Sequence, residues 1–315
     1  MNVTAKMITV TVNTAIDLFL EVEGMGRRDN LIANSSAEFV CGKGINVART
    51  IESLGHPVLC LGFAGKQSMP LFEAAASRGL RTDLIAVEGK TRTNLTLLDT
   101  QARRETHIRT QGFSVTAEDC RKLAEKLDAS AAAGDIVIFS GSLPPGAPRD
   151  LYRSLMDRCR RRRATVILDT SGSGLHEGLK AEPYLIKPNR QELEEIAGRA
   201  LPDDRALVGA ARTLIDQGVT WVYVSCGEEG LVVVGRETAI KASVNGDFGR
   251  VVSTVGCGDA MVGGLAVALF DGLDPAETIR IGIACGMANL YSREPGAIDR
   301  ASMAEIMNHV ETSPL

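Results

Sequence analysis

Ile136-Val137-Ile138-Phe139-Ser140, Thr165-Val166-Ile167-Leu168-Asp169 and Trp221-Val222-Tyr223-Val224-Ser225 are short apolar runs, each preceded by a stretch with helical apolar spacing. Those stretches are Ala117–Leu127, Arg149–Arg162 and Arg205–Gln217; a further unit runs Tyr184–Ile186 into Gln191–Ala197. Strands buried on both faces read as nearly continuous apolar runs, and parallel strands need crossover helices. The alternation therefore predicts an α/β chain with a mainly parallel sheet covered by helices on both sides. Open sheets of this kind bind ligands beyond the carboxyl ends of their strands. The loops after these strands are where chemistry is sought.

Toward the N-terminus, Met7–Val12 and Val58–Phe63 read as strands. Ile45–Leu54 reads as a helix closed by Gly55 and Pro57, and Leu71–Arg78 as one ending at Gly79. Ile16–Val22, Leu31–Val40, Thr93–Asp99 and Glu105–Thr110 mix apolar and polar residues; the first two flank a turn at Gly24–Asn30. Apart from the helix at Ile45, helices do not separate these four as they do the later strands. They predict a small second sheet, a lid over the mouth of a single domain spanning 1–315, built from segments about 14–41 and 91–111.

Composition removes several classes of function. Hydrophobic residues make up 44%, charged residues 23% and aromatics 4%, with a formal net charge of −4. That balance suits a globular core and leaves neither the basic footprint nor the stacking platforms of a nucleic-acid binder. The seven cysteines form no CxxC pair and only four histidines accompany them, which speaks against a disulfide framework or a zinc site. The longest apolar run, Ala260–Phe270, lies between Asp259 and Asp271 and is too short to span a bilayer. A soluble, cytoplasmic protein without membrane or nucleic-acid partners is expected. The basic cluster Arg158, Arg160, Arg161, Arg162 and Arg163 falls at a helix end, where cations suit solvent and the dipole.

The strongest local signal for chemistry is Ser253-Thr254-Val255-Gly256-Cys257-Gly258-Asp259, ahead of that apolar helix. Two glycines around one small residue expose backbone N–H groups at a helix start, a natural anion site. An Asp directly after it can take the proton of an alcohol attacking a phosphoryl group. The same pattern also describes a tight turn with a helix-capping Asp259.

Companion motifs extend the pattern. Gly42-Lys43-Gly44-Ile45-Asn46-Val47-Ala48 and the 253–259 stretch resemble the two signatures of the ribokinase-like carbohydrate kinases, in order and at similar separation. Between them lie Ser140-Gly141-Ser142-Leu143-Pro144-Pro145-Gly146, Lys187-Pro188-Asn189-Arg190-Gln191-Glu192 and Ser225-Cys226-Gly227-Glu228-Glu229-Gly230. The resemblance covers nearly the whole chain and is nearest to the phosphosugar branch. It implies a three-layer α/β sandwich with a small β-sheet lid.

It also implies roles. Asp259 would be the base, with Gly256, Cys257 and Gly258 forming the anion hole; Cys257, where the family has Ala, reads as a spacer or as a reactive thiol at a helix start. Asn189 and Glu192 match the family pair that positions Mg²⁺, and equally a helix-capping box. Lys187, Asn189, Ser225, Gly227, Gly230 and Thr254 would contact ATP; taken alone, Lys187 is a surface lysine and the 225–230 stretch a plain turn. Asp17, Gly42, Asn46 and Ser142 would face the sugar, although Asp17 alone reads as a turn acid. Thr14 stands where the branch often has Pro, and Cys41 where it commonly has Gly. Lys43, Arg92 and Arg109 would meet the acceptor's own phosphate, since a second dianion needs positive partners.

The implied reaction is ATP-dependent phosphorylation of a ketohexose phosphate, fructose 1-phosphate first, with tagatose 6-phosphate and fructose 6-phosphate as alternatives. A neutral-sugar or nucleoside kinase and a non-catalytic nucleotide or sugar-phosphate sensor are the other readings. Mg²⁺ is the implied cofactor, K⁺ activation is left open, and a homodimer through the lid is the one protein partner considered.

Overall fold

The computed structural model describes residues 6–25, 30–77 and 79–315. Residues 26–29 of the expected turn and Arg78, the expected end of a helix, lie outside them. One sheet has ten strands, in the order Val310–Pro314, Ala239–Val244, Leu231–Val234, Trp221–Ser225, Leu185–Ile186, Thr165–Asp169, Ile136–Ser140, Met7–Thr11, Val58–Gly65 and Thr82–Val87. From Trp221–Ser225 to Thr82–Val87 every neighbouring pair is parallel. The three strands beyond Trp221–Ser225 join antiparallel.

Met7, Ile136, Ile138 and Ile167 point to one side, under helices Lys43–Ser53, Cys257–Phe270 and Pro275–Asn289. Ile8, Val137, Phe139 and Leu168 point to the other, under Ala117–Ser130, Leu151–Arg161 and Asp204–Asp216. The result is a three-layer α/β sandwich. The first strand, Met7–Thr11, lies inside the sheet between Val58–Gly65 and Ile136–Ser140, so strand order reverses there. The helices that follow Met7–Thr11 and Ile136–Ser140, Lys43–Ser53 and Leu151–Arg161, lie on opposite faces of the sheet, which leaves a crevice at the carboxyl ends of these two strands.

A second sheet orders Ser35–Cys41, Ala15–Val22, Arg92–Asp99 and Arg104–Arg109. Its register sets Asp17 beside Asn94 and Asn94 beside Arg109, one polar row across the lid. Among the described residues no helix is long and apolar enough to cross a membrane.

The sequence pattern overlooked strands Thr82–Val87, Leu231–Val234, Ala239–Val244 and Val310–Pro314 and helices Gly172–Leu179, Pro275–Asn289 and Arg300–Met307. Helix Pro275–Asn289 buries residues over much of its surface, which blurs the one-sided apolar stripe that betrays an amphipathic helix.

Helix Cys257–Phe270 is buried without a break from Asp259 to Ala268. Two glycines permit its close packing. A Cβ at Gly263 would lie 2.7 Å from Cβ of Thr50, and one at Gly264 would lie 2.7 Å from Sγ of Cys285 and 3.0 Å from the Ile281 carbonyl oxygen. Gly264→Val is expected to cost about 1–3 kcal/mol through overpacking. A lower urea midpoint at unchanged slope would show it; an unchanged midpoint would show that the neighbouring helix yields freely.

Candidate active site

At Gly256 the backbone takes φ 90°, and an added Cβ would lie 2.9 Å from Pro295 Cβ and 3.0 Å from the Gly296 nitrogen. Conformation and space both demand glycine. No side chain caps the helix that follows, so its first N–H groups stay available to an anion. Asp259 stands at the third helical position and makes no cap, which overturns the simple capping reading. Its Oδ2 accepts a hydrogen bond from Asn46 Nδ2 at 2.8 Å, and its Oδ1 lies 3.9 Å from Lys43 Nζ. Burial pushes the Asp259 carboxyl up to about 6; the Lys43 charge pulls it back, and the neighbouring Asp169 charge adds to the rise.

Asp169, which the sequence reading did not single out, ties the two lysines of the site together. It ends strand Thr165–Asp169 and is 2% exposed. Its Oδ2 accepts from Lys43 Nζ at 2.9 Å and from Ser140 Oγ at 3.2 Å, while its Oδ1 lies 3.6 Å from Lys187 Nζ. Burial alone would raise its carboxyl, but Lys187 and Lys43 together hold it below the ordinary value. The same carboxylates keep the Lys43 ammonium charged against the pull of burial. Lys187 is buried rather than a surface lysine, and its Nζ would be 3.3 Å from a Cβ at Gly258, so it lies against the helix start. An acid at the carboxyl end of a central strand was the available signal for Asp169.

On the lid side, Asp17 Oδ1 accepts from Asn94 Nδ2 at 2.8 Å. Burial raises the Asp17 carboxyl, opposed by hydrogen bonds from Asn94 and the Cys41 thiol and by the charges of Arg92 and Arg49. Asp17 is therefore an anchored acid beside the cleft, not an exposed turn residue. The buried Thr14 hydroxyl donates to the Phe63 carbonyl oxygen at 2.7 Å, so this departure from the family pattern has a structural use. Gly42 has φ 123°, and its Cβ would lie 2.8 Å from Thr11 Cγ2. Arg92 donates to the Asn13 and Thr14 carbonyl oxygens at 3.1 and 3.4 Å. Neither Arg92 nor Arg109 has a carboxylate within 4.0 Å among the described residues. Burial and the nearby Arg109 charge pull Arg92 below the ordinary arginine value, against the influence of Asp17.

These groups share one cleft of about 760 Å³. Asp17, Gly42, Lys43, Asn46, Arg92, Arg109 and Ser142 line it with Gly256, Gly258, Asp259, Lys187, Asn189, Glu192, Ser225 and Thr254. Asn94, His107 and Thr170 line it as well, unforeseen from the sequence. Ser142 Oγ accepts from Asn13 Nδ2 at 3.2 Å. Gly227, Gly230 and the Cys257 side chain are not among the lining groups. For Gly230 a nearer reason exists, since a Cβ there would lie 2.1 Å from the Ala242 carbonyl oxygen. Asn189 and Glu192 form the capping box, with Asn189 Oδ1 accepting from Glu192 N at 2.8 Å and Glu192 Oε2 from Asn189 N at 2.9 Å.

The pfkB family carbohydrate kinase profile matches residues 5–300. The chain belongs to the pfkB family of carbohydrate kinases. It is 34% identical over 313 residues to a 1-phosphofructokinase of Escherichia coli strain K12, covering 98% of each chain. It is 38% identical over 299 residues to a 1-phosphofructokinase of Xanthomonas campestris, covering 91% of this chain and 92% of the relative. In structure it is similar to phosphofructokinase-2 from Escherichia coli in complex with potassium, with a TM-score of 0.90, 25% identity, and coverage of 97% and 99% of the two chains.

Two side readings of the sequence have a local structural setting. In the basic cluster, Arg158 and Arg162 pair with Asp128 at 2.6 and 3.0 Å, and Arg160 with Glu182 at 2.7 Å, as befits an ion-paired helix end. The Cys257 thiol lies 3.5 Å from Asn289 Nδ2, and burial pushes it up to about 11 despite the helix N-terminus. Cys257 should accordingly resist iodoacetamide at pH 7 while a model cysteine peptide is consumed. Fast labelling of Cys257 in a peptide map would contradict that environment.

Proposed function

We propose that the chain transfers the γ-phosphoryl group of ATP to a hydroxyl of a ketohexose phosphate, with fructose 1-phosphate as acceptor and fructose 1,6-bisphosphate as product. One observation carries this reading: the cleft joins an uncapped helix start and its buried carboxylate to two arginines that, among the described residues, have no carboxylate within 4.0 Å. A transferring phosphoryl group needs the first pair, and an acceptor with its own phosphate needs the second. The named 1-phosphofructokinases that cover nearly all of the chain favour the 1-phosphate. Likeness to phosphofructokinase-2, whose structure with fructose-6-phosphate also matches, supports fructose 6-phosphate as the second reading. A neutral-sugar or nucleoside kinase would have no acceptor phosphate for the charges that Arg92 and Arg109 bring to the cleft. A sensor would have no use for a base held near pH 6.

In this mechanism Asp17 and Asn46 hold sugar hydroxyls, and Arg92 and Arg109 hold the acceptor's phosphate. Asp259 accepts the proton of the attacking hydroxyl as the new O–P bond forms and the bond to the ADP oxygen breaks. The N–H groups of Gly256, Cys257 and Gly258 stabilise the transferring oxygens, with Lys43 and Lys187 as flanking charges. Among the described residues no three His, Cys, Asp or Glu side chains converge on a point that would hold a metal ion. Asn189 and Glu192 offer one amide and one carboxylate, a donor set that suits a Mg²⁺ carrying waters and phosphate oxygens. When bound there, Mg²⁺ would neutralise phosphate charge. K⁺ activation is part of the proposal because phosphofructokinase-2 has been crystallised with potassium. So is a lid-mediated homodimer, since Leu18, Leu20 and Leu97 are only half-buried and Ile108 is 48% exposed.

Asp259→Asn is expected to lower kcat by about 10²- to 10⁴-fold; turnover near wild type would remove Asp259 from the role of base. A protonated carboxyl cannot accept a proton, so wild-type kcat/KM should fall as pH drops through about 6. Lys43→Met removes the charge that holds this value down and should move the acid limb to higher pH. Arg92→Met should raise KM for fructose 1-phosphate by roughly 10- to 100-fold, the size of a lost charge-assisted contact. Comparing kcat/KM across ketohexose 1- and 6-phosphates and the free ketohexoses tests the substrate directly, and a preference for a free sugar would overturn it.

A further inference from the structure

Glu105 reaches from lid strand Arg104–Arg109 to the loop that opens the anion-binding helix. Its Oε2 accepts from Thr254 Oγ1 at 3.1 Å and from Thr254 N at 3.4 Å. Thr254 lines the cleft two residues before Gly256. An amide and a hydroxyl each have one hydrogen to give, and here both go to a single carboxylate oxygen.

We propose that Glu105 is a lid latch that competes with the phosphates of the nucleotide for Thr254. The proposal rests on the kinase reading above. A phosphate oxygen cannot take either Thr254 hydrogen while Glu105 holds both, and two anions drawn to one donor pair repel each other. The latch is also poised to release. Among the described residues Glu105 Oε1 is buried with no hydrogen-bond partner, and the side chain is only 16% exposed. The nearby group able to carry positive charge is His107, whose Nε2 lies 3.7 Å from Oε2. Leaving Thr254 would let water satisfy the stranded oxygen.

Glu21, in the same row of the lid, provides a contrast through the register Glu21–Leu98–Glu105. It accepts from Arg293 Nη2 at 2.7 Å and from Ser35 Oγ at 2.9 Å, and it does not touch the phosphate loop. Among the described residues Glu21 and Glu105 each tie this end of the lid to the core, and nucleotide breaks the Glu105 tie. Breaking it frees the strand that carries His107 and Arg109 over the acceptor end of the cleft.

Calorimetric titration with the Mg²⁺ complex of a non-hydrolysable ATP analogue tests this on the wild type, Glu105→Gln and Glu21→Gln. Glu105→Gln should bind roughly 2- to 10-fold tighter than wild type, with the gain shrinking as salt is raised, and Glu21→Gln should bind as wild type does. In hydrogen exchange, the analogue should speed the amides of 104–109 in the wild type, whereas in Glu105→Gln they should already be fast. Measurable binding with equal or weaker affinity in Glu105→Gln would overturn the latch and leave the kinase reading intact. Absence of nucleotide binding by the wild type would overturn both.

Discussion

The charge balance around Asp169 is the constraint on which the cleft depends. Two carboxylates, Asp169 and Asp259, and the buried Lys187 lie out of water, with Lys43 reaching between the acids. An isolated buried charge would be strongly unfavourable, so the four groups persist only together. They are not equivalent. Burial would raise both carboxyls, but Lys187 and Lys43 together hold Asp169 below the ordinary carboxylate value, whereas at Asp259 burial, with the Asp169 charge added to it, outweighs the pull of Lys43 and the carboxyl rises. Neighbouring acids pushed apart in this way suit different tasks: in the proposed reaction Asp169 would stay anionic as an anchor and Asp259 would take up the proton.

The sheet explains why these groups meet. Asp169 ends one parallel strand, Lys187 follows the short strand Leu185–Ile186, and Lys43 opens a helix just after the lid strand Ser35–Cys41. All lie at the carboxyl edge, near the place where strand order reverses around Met7–Thr11. Asp259 arrives from the opposite direction, on a helix buried along most of its length and fitted closely to its neighbours through Gly263 and Gly264. The rigidity of that packing is what gives a single carboxylate a defined position.

The lid adds a second polar surface with a different electrostatic character. Its row Asp17–Asn94–Arg109 presents an acceptor, an amide and a cation side by side. Its far edge carries Glu21 and Glu105, both turned to the core rather than to solvent. In the proposed reaction the acceptor side would be built mainly on strands and the phosphate side on a helix start, and the two sheets would have to keep their relative placement.

Much of this was legible in the sequence because it depends on local chemistry. Alternating strands and helices from Ala117 to Ser225 determined the class of sheet, and the glycine pairs around Lys43 and Cys257 determined where backbone N–H groups would be exposed. Pairing decisions were not local. The antiparallel strands Leu231–Val234, Ala239–Val244 and Val310–Pro314 gain their stability from neighbours distant in sequence, and helix Pro275–Asn289 has no single apolar face to show. Likewise, Asp169 became the partner of Lys43 and Lys187, and Glu105 the partner of Thr254, only when residues 126, 18 and 149 positions apart were brought together. A residue's type is written in the chain, but its desolvation and its charged neighbours come from the packed fold, and those two quantities assign it a task.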